Sequence, residues 1–149
     1  MSATATDAEL ILKLYDLRRE AEMRKARKFM VGEFWPESAE DILKVVNAMG
    51  TQENAWMRQV NGYWEMAASL VVHGALNQDL FLETSFCGEM FMVFAKIQPF
   101  LTEVRPKMGT NVLGNVERVI TSSEKGRSTL KLFEQRVAAR RKARKEAAA

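Results

Sequence analysis

The sequence predicts an all-α fold, a single-domain helical bundle of five to seven helices with a central antiparallel helix hairpin. Three observations carry this expectation. Apolar residues recur at helical spacing in one segment after another. No segment alternates apolar and polar residues with β-branched enrichment. The chain also holds only 8 Gly and 3 Pro, too few for the turns of a many-stranded sandwich or barrel. With 149 residues, 47% of them hydrophobic and 28% charged, it can bury one core without a disulfide or metal staple. We divide it into a helical domain over residues 1–135 and a basic, Ala-rich helical tail over 136–149.

The elements follow in order. Thr6 and Glu9 have the spacing of a capping box, and Leu10, Leu14, Leu17 and Ala21 form one stripe, so a first helix is predicted over about 7–31. It faces the core early and is charged late. Gly32 and Trp35-Pro36 end it. Ser38 opens a second helix with Ile42, Val45, Val46 and Met49 inward, and Gly50 stops it. Thr51 opens a longer third helix carrying Ala55, Trp56, Val60, Tyr63, Trp64, Ala67, Leu70 and Val71, which stops at His73-Gly74. Asn77 caps a fourth over about 78–97, with Leu80, Phe81, Phe86, Met90, Phe91, Val93 and Phe94 inside. The third and fourth helices make the hairpin.

Pro99 continues or kinks that helix, and Arg105-Pro106 with Gly109 breaks the chain. A short helix over about 112–121 carries Val112, Leu113, Val116, Val119 and Ile120. Thr121-Ser122-Ser123 and Gly126 read as a loop, and Ser128 starts a last helix, apolar at Leu130, Leu132, Phe133 and Val137. Beyond Val137 stand only Ala, Arg, Lys and Glu, good helix formers that offer no apolar face.

Charge is segregated. The net +3 divides into +2 over residues 1–29, −7 over 30–104 and +8 over 105–149. An acidic middle and a basic C-terminal third favour association with a charged partner, another copy of the chain included. The tail places Arg136, Arg140, Arg141, Lys142, Arg144 and Lys145 within ten residues. It admits three readings: phosphate contacts with RNA or DNA, docking on an acidic protein surface, or a solvated helix end that complements the macrodipole. It lacks the interleaved aromatics that stack single-stranded bases. A second cluster, Arg24, Lys25, Arg27 and Lys28, follows Arg18 and Arg19 and is diluted by Glu20 and Glu22, so part of it pairs along the helix surface.

Glu65 and Glu89 lie in strongly apolar helical runs, YWEMAASLVV and FCGEMFMVF, and are candidate buried carboxylates. A bundle-core di-metal site would need Glu-x-x-His twice, and the chain has one His. Both glutamates are instead expected to sit at helix boundaries, paired with Arg58, Lys96 or Arg105. His73 and Cys87 lack a third orienting group and an oxyanion loop. No phosphate-loop, dinucleotide, nucleophile-elbow or zinc-protease motif is present. We therefore expect no enzyme activity, no catalytic residue, no cofactor and no metal. The 9 Met, 3 Trp and 8 Phe fit a core, or an adaptable groove for a partner helix, and Trp35 and Trp56 flank segment ends.

Met1 to Glu9 shows no basic segment followed by an apolar run, and the charge-free apolar run from Met66 to Asn77 falls well short of the ~20 residues of a membrane span. With one Cys, these features lead us to expect a cytoplasmic protein without a membrane span.

The stretch from Tyr63 to Ile120 carries a resemblance. Trp64-Glu65, the apolar Leu70 to Val72, Gly74, Asn77 to Leu80, Pro99 and Arg105, then Asn115, Glu117 and Ile120, resemble a family of small bacterial all-helical proteins known only as a domain of unknown function. The resemblance implies an α-helical fold and a bacterial source, and no activity. The expected role is a non-enzymatic, self-associating helical scaffold or adaptor, a homo-oligomer and specifically a homodimer, because no catalytic constellation is present, charge is segregated, and the two end helices carry more charge than apolar stripe. The alternative is a nucleic-acid-binding or ribosome-associated protein using the basic tail. A third reading, an enzyme with Glu65 or Glu89 as acid or base, requires a concave pocket at one of them.

Overall fold

Thr4 caps the first helix, two residues before the Thr6 suggested by the sequence. Its Oγ1 accepts the Asp7 N–H at 3.2 Å, and the Asp7 carboxylate accepts the Thr4 N–H at 2.7 Å, a capping box with aspartate in place of glutamate. Asp7 also accepts the N–H of Asn77 at 2.8 Å, a distant bond that Glu9 does not make. These donors hold the Asp7 carboxyl below its usual range, the Thr4 amide foremost. In the computed structural model, which describes residues 1–149, α1 therefore spans Ala5–Leu17.

The helix predicted over 7–31 is broken after one core-facing segment. Arg18 turns inward and is buried; its Nη1 donates to the Phe86 carbonyl at 2.9 Å, and its guanidinium lies against the rings of Tyr15, Trp64 and Phe86. Glu20 then caps α2 (Ala21–Arg27), its carboxylate accepting the N–H groups of Glu22 and Met23 at 3.0 and 2.9 Å. Next comes a π-helical turn, Lys28–Glu33.

Ser38 caps α3 (Ala39–Asn47), and Thr51 caps α4 (Gln52–Val72). The inner row of α4 is Met57, Val60, Trp64, Ala67 and Ala68, while Ala55 is exposed, so the buried stripe is rotated from the predicted one. Gly74, with φ +76, supplies the left-handed residue beyond the α4 end. The predicted fourth helix divides into α5 (Gln78–Phe81) and α6 (Thr84–Ile97), because Leu82 and Glu83 leave the helical path. A 3₁₀ turn, Gln98–Phe100, then leads through Pro99 into α7 (Leu101–Met108), which tolerates Pro106 in its last turn. The chain finishes with α8 (Gly114–Thr121) and α9 (Glu124–Ala148). No strand is present, and the fold is an all-α bundle.

α4 and α6 run antiparallel at its centre. Trp64 meets Phe86 edge-on at 5.5 Å and donates from Nε1 to Glu89 at 2.9 Å, while Met57 and Ile97 line one cleft toward the other end. α2 and α8 pack directly on α4, and α9 packs on α6, where Phe91 and Phe133 stack at 5.5 Å. The Ser123–Gly126 stretch, expected as a loop, is the capped start of α9: Ser123 Oγ accepts the Gly126 N–H at 3.0 Å. Gly126 permits this close turn, since a Cβ there would stand 2.0 Å from the Ile120 carbonyl oxygen.

Lys96, in the middle of the apolar run FMVFAKIQPF, is 1% exposed and has no carboxylate partner. Its Nζ donates instead to carbonyls at the end of the π turn: Met30, Val31 at 3.3 Å and Phe34 at 2.6 Å. The Trp35 ring centroid lies 4.6 Å away. Three donors on one ammonium thus satisfy backbone oxygens that the irregular turn leaves without helical partners. Arg141 from α9 completes the joint, donating to the carbonyls of Pro36 at 2.6 Å and of Lys96 at 3.2 Å. Arg141 and Arg144 also lie 5.7 and 5.3 Å from the Trp35 ring. Burial, together with the charges of Arg141, Arg144 and Arg140, pulls the Lys96 ammonium from 10.5 down to about 7.

Two predictions follow from this packing. Gly126→Ala should lower stability by about 2 kcal/mol, the scale of an overpacked contact, whereas Gly88→Ala should be neutral or stabilising because its Cβ meets only Phe133 at 3.7 Å. Denaturant unfolding of the pair checks the contrast. Lys96→Met should cost about 1–3 kcal/mol near pH 6 by leaving buried carbonyls without a donor. Between pH 7 and 10.5 the unfolded chain holds the proton that folded Lys96 has released, so this group's contribution rises with pH. Unfolding at pH 6 and pH 9 should show wild type gaining stability relative to Lys96→Met.

Candidate functional site

The two basic clusters, separated by more than a hundred residues in sequence, meet in space. Arg24, Arg27 and Lys28 from the α2 end and Arg140 from α9 line one groove of about 560 Å³. Val31, Gly88, Met92 and Phe133 form its apolar floor, with Glu89 beside them. Phe133 projects from α9 and is buried against α6, where Gly88 leaves room for its ring. The groove exists because α9 is held onto α6 by Leu130, Phe133 and Val137 and onto Trp35 by Arg141.

The cations divide by environment. Arg27 is half-buried, and its Nε donates to Glu89 Oε2 at 2.5 Å. Lys25 pairs with Glu22 at 2.9 Å along the exposed helix surface, and Lys28 stands 3.9 Å from Glu33 in a longer and more exposed pair. Arg136 stacks over Phe133 at 4.9 Å, so its charge stands next to the groove floor. Arg141 is taken up by the Trp35 joint, and Arg144 lies over the same indole. Lys142 and Lys145 are exposed, and Lys145 lines a small hollow with Trp35 and Glu37. Arg24, Lys28 and Arg140 therefore present exposed charge to whatever enters the groove, on a floor that carries one carboxylate already neutralised by Arg27.

The two candidate carboxylates have partners other than those expected. Glu89 is buried at its side chain and takes Arg27 and the Trp64 indole, not Arg58, Lys96 or Arg105. Glu65 is half-buried, and its Oε1 accepts the Val116 N–H at 2.8 Å. It thereby caps the α8 N-terminus from outside, where the local cap residue, Leu113, has no polar side chain. Arg105 bonds the Val112 carbonyl at 3.1 Å and pairs with Glu117 at 3.3 Å. Arg58 is exposed.

His73 is exposed at the α4 terminus. Cys87 is fully buried, and burial pushes its thiol up to about 12, far from the thiolate a nucleophile needs. No helix is long and apolar enough to cross a membrane. Sequence reasoning missed Lys96, Arg18 and the part of Trp35. Lys96 is signalled by a lone cation in an apolar run and Trp35 by an indole beside a proline, whereas Arg18 is hidden among the neighbouring charges Arg19, Glu20 and Glu22.

Residues 3–123, α1 through the end of α8, match the model of a family described as a domain of unknown function (DUF4760), and α9 lies beyond the match. No curated protein and no solved structure shows significant similarity to the chain. The chain belongs to this domain family of unknown function, with an α9 that closes its basic groove.

Proposed function

We propose that the chain is a non-enzymatic, cytoplasmic helical module that binds nucleic acid through its phosphate backbone, in the groove between α2 and α9. One observation carries this reading: Arg24, Arg27, Lys28 and Arg140 line one concave surface although they come from opposite ends of the chain. A row of exposed guanidinium and ammonium groups suits successive phosphates, and arginine forks match phosphate oxygens in geometry. Phe133, on α9, is buried against Phe91 of α6 and carries Arg136 over its ring, so the groove floor gives bases little to stack on. The reading is therefore of sequence-tolerant backbone binding rather than base recognition.

A second reading, the self-associating scaffold or adaptor, rests on α1. Leu12 is 69% exposed and Tyr15, one turn further along the same face, 45%. Only Asp7 and Leu14 of this helix are buried, which leaves an apolar side for a second copy of the chain.

A salt titration separates the two. Labelled single-stranded RNA and duplex DNA should bind with an affinity that falls steeply with salt. Three phosphate contacts, at Arg24, Lys28 and Arg140, give a log–log slope of roughly −2 for single strands and −3 for duplex. Arg24→Glu with Arg140→Glu should lower the affinity at least tenfold and flatten the slope by about 2, with the melting temperature unchanged. Binding that ignores salt, or that survives both reversals, contradicts the nucleic-acid reading. Light scattering of Leu12→Asp with Tyr15→Asp tests the scaffold, which predicts a fall in mass to that of one chain.

A further inference from the structure

A second concavity, of about 600 Å³, lies between α3, α4 and the connection from α7 to α8. Its walls are mostly apolar, with Ile42, Met57, Val104 and Leu113 among them, and its volume is in the range of small-molecule sites, about 300–1,000 Å³. One stripe of α4 brings polar groups into it. Arg58, Asn61, Gly62 and Glu65 follow at i, i+3, i+4 and i+7 and so share a helix face.

Four features of this cleft are unusual for a surface that serves packing alone. The Asn61 Oδ1 is buried and has no hydrogen-bond partner, an unusual condition for a buried amide oxygen. Arg58 is exposed at the cleft and makes neither an ion pair nor a hydrogen bond. Gly62 weakens the interior of a long helix, yet nothing lies within 4 Å of where its Cβ would stand; what its missing side chain leaves is open cleft. Leu113, on the wall, is a buried leucine at φ +58, a left-handed conformation that a branched side chain adopts at a cost. Glu65 marks the other end of the stripe, roughly 10 Å along the helix from Arg58, and one of its oxygens is occupied by the Val116 N–H.

We propose that this cleft binds a small amphipathic anion of the N-acyl amino acid class. Its acyl chain occupies the apolar walls, its carboxylate meets Arg58, and its amide N–H donates to Asn61 Oδ1 one helical turn away. The Glu65 carboxylate repels the anionic end and so fixes the ligand's direction. The site shares no residue with the α2–α9 groove and does not depend on the function proposed for it.

Isothermal titration calorimetry with N-decanoylglycine, decanoate and decylamine, each below its micelle-forming concentration, tests the assignment on the full chain. N-Decanoylglycine should bind saturably at one site. Decanoate, lacking the amide donor, should bind roughly 5–10-fold more weakly, the usual worth of one hydrogen bond, and decylamine should not bind. Gly62→Leu should abolish binding while the melting temperature holds or rises. Arg58→Glu, a surface change that cannot disturb the core, should weaken it at least tenfold. No saturable binding of N-decanoylglycine, equal binding of decylamine, or affinity unchanged in Arg58→Glu would overturn the proposal. Binding that Gly62→Leu leaves intact would place the ligand elsewhere and overturn it as well.

Discussion

The Lys96 ammonium is the joint on which the rest of the arrangement depends. A π turn gives up regular hydrogen bonding, and its exit leaves carbonyls of Met30, Val31 and Phe34 facing the core. A hydrophobic residue at position 96 would leave those oxygens unsatisfied, and an acid would oppose them. An ammonium matches them donor for acceptor, and the Trp35 face covers its remaining side. The charge is still costly to bury, which is why its proton is held so much more loosely than that of an ordinary lysine. The joint is thus a balance between backbone satisfaction and desolvation.

Its consequence reaches the other end of the chain. Trp35, held by its own N–H to the Gly32 carbonyl at 3.0 Å, offers a face to Arg141 and Arg144 of α9. A helix whose last turns have no apolar stripe frays in water unless something fixes it. Arg141 supplies that fixture through two backbone carbonyls, and Val137 and Phe133 supply the apolar contacts before it. With α9 held, Arg140 faces the end of α2, and cations that would otherwise repel one another from separate helices share a groove. Glu89 lowers the cost by pairing with Arg27 at the floor.

Much of this architecture was legible in the sequence. Apolar spacing placed six helical regions and the α4–α6 hairpin, Gly74 and Gly109 marked helix ends, and the charge count found the two clusters from which Arg24, Arg27, Lys28 and Arg140 line the groove. What was not legible has a common physical cause: side chains that satisfy distant backbone. Thr4 rather than Thr6 starts α1 because Asp7 also reaches Asn77. Arg18 breaks a periodic helix because Phe86 and three aromatic rings reward it for turning inward. Ser123 begins α9 where a loop was expected because Gly126 permits contact with Ile120. Glu65 and Glu89 stand out in the sequence as acids in apolar runs, but their partners, a helix N-terminus and an indole with an arginine, lie on elements that spacing along one helix cannot identify.

The Trp35–Lys96–Arg141 joint docks α9 beyond its last apolar residue, and the basic groove depends on this. Amide hydrogen exchange along α9 tests it most directly. The amides from Arg140 to Arg144 should exchange far more slowly than those of the final residues, and Trp35→Ala should abolish the difference while leaving Leu130 to Val137 protected. Exchange that is already fast from Ala138 onward in the wild-type chain would contradict the account.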